Sequence, residues 1–250
     1  ARIDEPERLR DLLDRLEDSW PQERRPDRAA RRIRSMLEGA ARPVDVLGWV
    51  VRLVESADGG ARLGELAHLE VFLELARQGP YPARVLVRYP DDLSYLAESL
   101  ADNRTRDVES LVDELDRRLD SASGDTGDLE ETVLAELRRL KRRESLRIYL
   151  REIRSQTSLR ETTAEIASLA EACLRVAVER GAACIGDATL ADDFCVLGMG
   201  KLGGCELNFS SDVDLIYLCS ESSSSTDERL RQIDRLAKWV TASMERSTEQ

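Results

Sequence analysis

The chain has 250 residues, of which 34% are charged and only 4% aromatic, and its formal net charge at pH 7 is −12. A chain of this length can bury a substantial core in one or two domains, and its composition favours a mostly helical protein. The acidic balance argues against nucleic acid as a partner. The absence of an 18-residue apolar run and of a signal-peptide pattern argues against a membrane. We therefore expect a cytoplasmic protein.

The first 120 residues predict a series of short helices separated by proline and glycine. One helix is expected over about 62–77, because Gly79 and the two following prolines, Pro80 and Pro82, interrupt the helical pattern. Pro90 is expected to start the next helix. A polar loop is predicted over 121–127.

Two N-cap signals start longer helices. Asp128 with Glu131, and Ser158 with Glu161, have the spacing of a capping pair, and each is followed by apolar residues at helical intervals. The second helix is predicted to end at Gly181, because glycine is a poor residue for a helix interior and common after a helix end.

The sequence pattern of the last sixty residues differs from the helical pattern before them. Residues 193–198 and 213–219 are apolar runs that predict two strands, and 220–226 predict a serine-rich loop. Asp227 is expected to begin a final amphipathic helix. The sequence thus predicts an α+β protein, with a helical region over 1–190 followed by a smaller region over 191–250.

A basic cluster stands out in the acidic chain, within the helix that follows Asp128. Two interpretations stay open: a solvated helix face with scattered ion pairs, or a wall that attracts the phosphates of a nucleotide or of an adenylylated protein. The cluster comprises Arg138, Arg139, Lys141, Arg142, Arg143, Arg147, Arg151 and Arg154.

The cysteines and the histidine exclude several kinds of catalysis. There are five cysteines, with no Cys-x-x-Cys spacing, so neither a disulfide framework nor a zinc site is indicated. Three of them, Cys195, Cys205 and Cys219, fall in or beside the predicted strands, where we expect small buried apolar side chains. The only histidine, His68, lies far from Cys205 in sequence and is expected in a packing or surface role, which argues against Cys–His and Ser–His–Asp chemistry.

The glycine-rich turn between the predicted strands carries the strongest functional signal. Gly203 and Gly204 can adopt positive φ and bring backbone N–H groups close to an anion. Asp212 and Asp214 are two residues apart at the start of an apolar run, so we expect both carboxylates to point the same way from a buried strand. Because Mg²⁺ is commonly held by one or two carboxylates together with phosphate oxygens, this arrangement predicts metal-assisted transfer of a phosphoryl or nucleotidyl group.

Three competing motifs fail. The glycines over 198–203 match a dinucleotide-binding fingerprint, but only 201–211 separate the strands, which is too short for a helical crossover to a parallel strand. A P-loop needs Lys-Ser/Thr after its second glycine, where Gly204 and Cys205 stand. An EF-hand counted from Asp212 would need glycine where Tyr217 stands.

The segment Gly198-Met-Gly-Lys-Leu-Gly-Gly-Cys-Glu-Leu-Asn-Phe-Ser-Ser-Asp-Val-Asp-Leu-Ile resembles the DNA polymerase β-like nucleotidyltransferase superfamily. More narrowly, it is similar to the bifunctional glutamine synthetase adenylyltransferase/adenylyl-removing enzymes. The form that begins at Glu206 is closer to their N-terminal, adenylyl-removing half. The helical segments that start near Leu137 and at Ser158 also resemble that family.

The resemblance implies phosphorolytic removal of AMP from an adenylylated tyrosine of glutamine synthetase, giving ADP. It assigns Mg²⁺ to Asp212 and Asp214, phosphate to Gly203 and Gly204, and supporting phosphate contacts to Ser211 and Lys201. It also implies glutamine synthetase as partner, with the PII signalling protein and glutamine as candidate regulators. The alternatives are adenylylation with ATP, or a non-catalytic nucleotide-sensing module.

The superfamily's third carboxylate lies on a later strand, within an Arg-Val-Asp-Leu-Arg segment in the resembled family. No such segment follows Leu218. We therefore expect a nucleotidyltransferase core over 191–250 that is truncated at its C-terminal end, and a 250-residue chain that is inactive alone.

Overall fold

The computed structural model describes residues 5–20, 28–122, 128–220 and 227–246. Most of these residues are helical, and two short strands form an antiparallel sheet. The mostly helical α+β class is therefore confirmed. The chain divides into two compact units, Ala1–Asn103 and Arg104–Gln250. The boundary between these units lies at residue 103 and not at the predicted position after residue 190. The division into a helical region over 1–190 and a nucleotidyltransferase region over 191–250 remains a prediction about function.

The first unit contains seven described helices. α3, α5 and α6 pack against one another, α1 packs on α3, α2 packs on α3 and α5, and α7 packs on α5. Their apolar positions form a core that includes Leu47, Phe72 and Leu86. The helices are α1 (Glu5–Ser19), α2 (Ala29–Glu38), α3 (Pro43–Glu55), α4 (Gly59–Arg62), α5 (Leu66–Gln78), α6 (Pro80–Arg88) and α7 (Asp92–Asp102).

Proline and glycine separate helices of this unit largely at the predicted positions. α5 ends just before Gly79, and Pro80 occupies the first turn of α6, where its missing N–H costs no helical hydrogen bond. His68 is buried on α5, and its Nδ1 lies 2.7 Å from the carbonyl oxygen of Arg62. This contact shows that His68 has a packing role, which was one of the two roles expected from the sequence.

The second unit is built on three helices, α8 (Val108–Ala122), α9 (Leu129–Ile153) and α10 (Leu159–Ile185), with α10 packed against the other two. Asp128 caps α9 by accepting the N–H of Glu130. Ser158 and Glu161 form the predicted capping box at α10, each side chain accepting the other residue's backbone N–H.

The predicted end of α10 at Gly181 is wrong. The helix continues to Ile185 and ends at Gly186, whose φ of +93° is left-handed. A Cβ at Gly181 would lie 2.6 Å from the Trp239 ring of α12 (Asp227–Arg246). Gly181 is therefore a point of close helix–helix approach, which the sequence pattern alone does not distinguish from a helix end.

After a short 3₁₀ turn (Ala188–Leu190), β1 (Phe194–Gly198) and β2 (Leu215–Cys219) pair in antiparallel register, with Val196 opposite Tyr217. This orientation confirms the exclusion of a dinucleotide-binding crossover. One sheet face packs on the helices: Phe194 stacks on Tyr217, whose hydroxyl lies 2.8 Å from Thr241 Oγ1 of α12.

The other sheet face is open, which corrects two expectations. β2 is not a buried strand, since Ile216 and Leu218 are 44% and 50% exposed. The cysteines Cys195, Cys205 and Cys219 are also exposed, and only Cys173, on α10, is fully buried. The apolar run over 215–218 predicted a buried strand, whereas the described residues cover only one face of the sheet.

The basic cluster is a solvated face only in part: five of its eight members are half-buried, and the Arg139 side chain is 41% exposed. Arg143, Arg147 and Arg151 are buried. Glu165 of α10 pairs with Arg147 and Arg151, and Arg147 Nε also lies 2.9 Å from Glu144. For these three arginines a phosphate-attracting wall is equally wrong, because their guanidinium groups lie inside the helical packing.

The ion network extends to the start of α8. Arg106 Nη1 lies 2.6 Å from Glu114 and 3.1 Å from Glu144, and the Arg106 N–H donates to Glu165 at 3.0 Å. Burial lowers the pKa of Arg147, but the carboxylates of Glu144 and Glu165 outweigh it and raise that pKa above its ordinary value. The network thus ties α8, α9 and α10 together by charge.

Of the two predicted loops, residues 123–127 and 221–226 lie outside the described residues, and residues 121 and 122 belong to the end of α8. The predicted helix at Asp227 is confirmed as α12. Among the helices that the structure describes, none combines the length and the apolar character needed to cross a membrane.

Candidate functional site

The glycine-rich segment folds as a single helical turn, α11 (Gly200–Gly203), directly after β1. The N–H of Gly203 donates to the Met199 carbonyl at 3.3 Å, and that of Gly204 to the Gly200 carbonyl at 3.0 Å. Both glycine N–H groups are thus engaged within the turn. Any contribution of these glycines to phosphate binding comes from the shape of the turn and not from donation by these two groups.

The expected positive φ is wrong for both glycines of the pair. The left-handed residues are Gly200, with φ of +53°, and Cys205, with φ of +55°, whereas Gly204 has φ of −83°. Gly203 is needed for a different reason: a Cβ there would lie 2.5 Å from the carbonyl oxygen of Gly198. Close backbone packing, rather than backbone handedness, thus requires glycine at that position.

Asn208 organises the loop that leads to the aspartates, and sequence reasoning missed it. Its Oδ1 accepts the Ser210 N–H at 3.2 Å and the Ser211 hydroxyl at 2.7 Å. The Ser211 N–H in turn donates to the Asn208 carbonyl at 3.1 Å. The signal was the Asn-x-Ser-Ser sequence, which is typical of side chain–backbone turns.

Two apolar residues fix this loop on the helices. Leu207 is buried in the core of the second unit, and the Phe209 ring meets the Tyr149 ring of α9 edge to face, with centroids 5.5 Å apart. Burial, followed by the charge of Glu152, raises the pKa of Tyr149. The loop before the aspartates therefore has anchors on both sides of Asn208.

Asp212 and Asp214 precede β2 in extended backbone. Both are exposed, and they alternate with the half-buried Ser211, Val213 and Leu215, which is the pattern of one face of a strand. The Asp214 carbonyl accepts the Met199 N–H at 2.9 Å, so the ladder continues one pair beyond the assigned strands. The carboxylates thus project from the open side of the sheet.

The structure brings most of the predicted site residues together. An ideal Cβ built on Gly200 would lie 4.0 Å from Asp214 Oδ2, so this carboxylate sits over the start of α11. Lys201 Nζ lies 3.4 Å from Ser211 Oγ. Asp214, Lys201 and Ser211 therefore lie close to the turn formed by the glycines, and Asp212 shares the exposed face of Asp214.

The donor set suits a hard cation. Asp212 and Asp214 offer exposed carboxylate oxygens, and the missing Cβ of Gly200 leaves room beside Asp214. In the described part of the chain, no group of three or more His, Cys, Asp or Glu side chains is placed to hold a metal ion. Two carboxylates alone match Mg²⁺ sites that are completed by water and substrate phosphate.

Comparison with known proteins decides the family. Residues 69–249, more than two thirds of the chain, match the family model described as glutamate-ammonia ligase adenylyltransferase. The chain belongs to this adenylyltransferase family. The match includes the whole described site and all of the second unit except its last residue.

Curated relatives of the adenylyltransferase family agree with this assignment. Each of three is a bifunctional glutamine synthetase adenylyltransferase/adenylyl-removing enzyme. The protein of Thioalkalivibrio sulfidiphilus is 33% identical over 60% of this chain and 16% of its own length. That of Nitrosococcus oceani is 31% identical over 70% and 20%, and that of Brucella suis 28% identical over 81% and 20%. The chain thus spans about a fifth or less of these relatives.

Proposed function

We propose that this region carries out Mg²⁺-dependent nucleotidyl transfer, with Asp212 and Asp214 as the metal-binding carboxylates. The observation that carries the proposal is the shared exposed face of these aspartates beside the α11 turn. Membership of an adenylyltransferase family supports the same chemistry.

Each residue of the turn has a distinct part in this proposal. The Lys201 ammonium group supplies positive charge for a phosphate, and the Ser211 hydroxyl, already placed by Asn208, can donate to a phosphate oxygen. Gly203 keeps the turn tight against Gly198. When bound to the two aspartates, Mg²⁺ neutralises charge that develops on the transferred group.

The specific reaction that we propose is removal of AMP from an adenylylated tyrosine of glutamine synthetase. An oxygen of inorganic phosphate attacks the phosphorus of the AMP group, and the bond to the tyrosyl oxygen breaks. ADP leaves, and the tyrosyl oxygen takes up a proton. The names of the relatives, which include an adenylyl-removing activity, support this direction.

A second candidate is the adenylylating direction, in which ATP donates AMP to the tyrosine and pyrophosphate leaves. The family description names adenylyl transfer and so favours it. A third candidate, a non-catalytic nucleotide sensor, would use the same site to bind nucleotide without turnover.

The test begins with nucleotide binding to the chain. A fluorescent ADP analogue is titrated with and without Mg²⁺ into the wild type, Asp212→Asn and Asp214→Asn. We expect Mg²⁺ to tighten binding by at least about tenfold in the wild type, and both substitutions to abolish that gain. Asp234→Asn on α12 is the matched control, since Asp234 is an exposed aspartate whose partner is Lys238. Equal Mg²⁺ dependence in all four proteins would refute the metal assignment.

The direction of transfer is determined by mass spectrometry, which measures whether the tyrosine of glutamine synthetase carries AMP. A longer protein that contains this region and the expected third carboxylate is incubated either with adenylylated glutamine synthetase and phosphate, or with unmodified glutamine synthetase and ATP. Loss of AMP in the first mixture supports the proposed reaction, whereas gain of AMP only in the second assigns the adenylylating direction. Mg²⁺-dependent nucleotide binding with no change in either mixture assigns the sensor function.

A further inference from the structure

A concave region of the second unit lies between α10 and β1, and neither Asp212 nor Asp214 lines it. This cleft has a volume of about 810 Å³. Its floor includes apolar side chains of α10, among them Leu174 and Val178, and Phe194 and Val196 of β1. Leu202 and Gly203 of the α11 turn close one end. Of the residues given a part in the proposed nucleotidyl transfer, only Gly203 lines this cleft.

The cleft runs along the unpaired edge of β1. Hydrogen bonds from Met199 to Asp214 and from Ser220 to Asp193 lie on the β2 side of the ladder. In an antiparallel pair these bonds involve alternate residues, so Cys195 and Leu197 also bond to β2. The backbone N–H and C=O of Val196 therefore point away from β2, into the cleft that this residue lines.

The two walls of the cleft, α10 and β1, have similar lengths. The α10 residues that line the cleft extend from Ala167 to Glu179, about 18 Å at the helical rise per residue. β1 has five residues and spans roughly 14 Å at the rise of an antiparallel strand. An extended peptide of five to seven residues therefore fits between them, with alternate side chains on the apolar stripe of α10.

The rim of the cleft is acidic. Glu171, Glu179 and Asp192 line it with one basic residue, Arg175. Arg175 is already paired, at 2.6 Å with Glu171 and at 3.3 Å with Glu109. Glu179 and Asp192 are exposed and leave the rim with excess negative charge. An occupant with lysine or arginine beside its apolar residues would be complementary.

We propose that this cleft binds an extended segment of a partner protein, with alternating apolar and basic residues, as a third strand on β1. Backbone pairing with Val196 supplies affinity, and the α10 stripe and the acidic rim supply selectivity, as in other strand-addition complexes. The bound segment would rest against Leu202 and Gly203 at its end.

The probe is a fluorescein-labelled peptide, acetyl-Lys-Val-Lys-Val-Lys-Val-Lys-amide, titrated into the 250-residue chain. We expect saturable binding that weakens with salt, because rim charges contribute. A peptide with proline at its central valine lacks one backbone donor, and a peptide with glutamate for lysine reverses the charge. Each is expected to bind at least about tenfold more weakly.

Variants of the chain locate the site. The double substitution Glu179→Lys and Asp192→Lys should weaken binding by at least about tenfold. The double substitution Glu228→Lys and Asp234→Lys, an equal charge change at two exposed carboxylates of α12 outside the cleft, should not. Val196→Pro removes the outward N–H and leaves both flanking bonds to β2 intact, so it should abolish binding. Should that variant misfold, amide exchange of Val196 in the wild type gives the same information, since the peptide should slow it selectively.

The proposal is overturned if the proline peptide binds as well as the parent peptide, or if Val196 exchange is unchanged at saturation. It is also overturned if the free chain sediments as a dimer with Val196 already protected. That result would assign the β1 edge to a second copy of the chain.

Discussion

The buried ion network of the second unit makes a strong prediction for the substitution Glu165→Gln. Glu165 pairs with Arg147 and Arg151 and also accepts the N–H of Arg106. Glutamine has nearly the same size, but it removes the charge and turns one acceptor into a donor that faces guanidinium donors. Breaking a buried pair costs about 3–5 kcal/mol. Because Glu144 still pairs with Arg147, we expect the lower end, about 3 kcal/mol.

The matched control is Glu171→Gln. Glu171 lies on the same helix and also pairs with an arginine, Arg175, but the two side chains are 48% and 47% exposed. An exposed pair at this spacing contributes roughly 0.3–0.5 kcal/mol. Thermal unfolding followed by circular dichroism should therefore show a loss of about 10 °C for Glu165→Gln and about 1 °C for Glu171→Gln.

Hydrogen exchange with mass spectrometry shows which of the two units loses stability in Glu165→Gln. Exchange should accelerate in peptides from α8, α9 and α10 and stay unchanged in peptides from α3 and α5, which belong to the first unit. Equal losses for Glu165→Gln and Glu171→Gln would refute the reasoning, because they would mean that the arginines of α9 are solvated in solution.

Three further outcomes follow from the structure. Gly203→Ala should destabilise the chain by about 1–3 kcal/mol, because the new Cβ would clash with the Gly198 carbonyl oxygen. Gly204→Ala, where a Cβ has room, should change stability by less than about 1 kcal/mol. Thermal melting curves of the two variants measure the difference. Burial raises the pKa of Glu114, but the hydrogen bonds from Arg118 and Arg106 outweigh it, so the folded pKa lies below the ordinary value of 4.5. Its stabilisation is present above that value and is lost as the pH falls through the lower folded pKa, so Glu114→Gln should flatten the acid limb of a stability–pH curve. Burial raises the pKa of the Cys173 thiol to about 12, so at pH 8 a thiol reagent should modify the folded chain first at the exposed cysteines, Cys195, Cys205 and Cys219, and reach Cys173 only on unfolding.

Local signals in the sequence predicted most of the elements. The capping residues Asp128 and Ser158 start their helices as expected, because a helix N-terminus is decided by hydrogen bonds within a few residues. The antiparallel strand pair followed from the short connection between the two apolar runs. Gly181 was misassigned because its contact is with Trp239, nearly sixty residues further along the chain.

Features that depend on packing could not be predicted in the same way. The basic cluster gave no sign that its arginines face Glu144 and Glu165, since burial of charge depends on how α9 meets α10. The spacing of Asp212 and Asp214 did predict a common face, which agrees with their alternating exposure. Their role in metal binding remains a prediction.

The hydrogen bonds of Asn208 and the ring contact of Phe209 with Tyr149 have a consequence for the thermodynamics of ligand binding. Ordering a flexible residue costs about 1–2 kcal/mol of backbone entropy. In this protein the loop before Asp212 is held by its own turn and by α9, so that entropy is lost during folding. A nucleotide that arrives at Lys201 and Ser211 then meets a preorganised surface, and its interaction energy appears more fully as affinity.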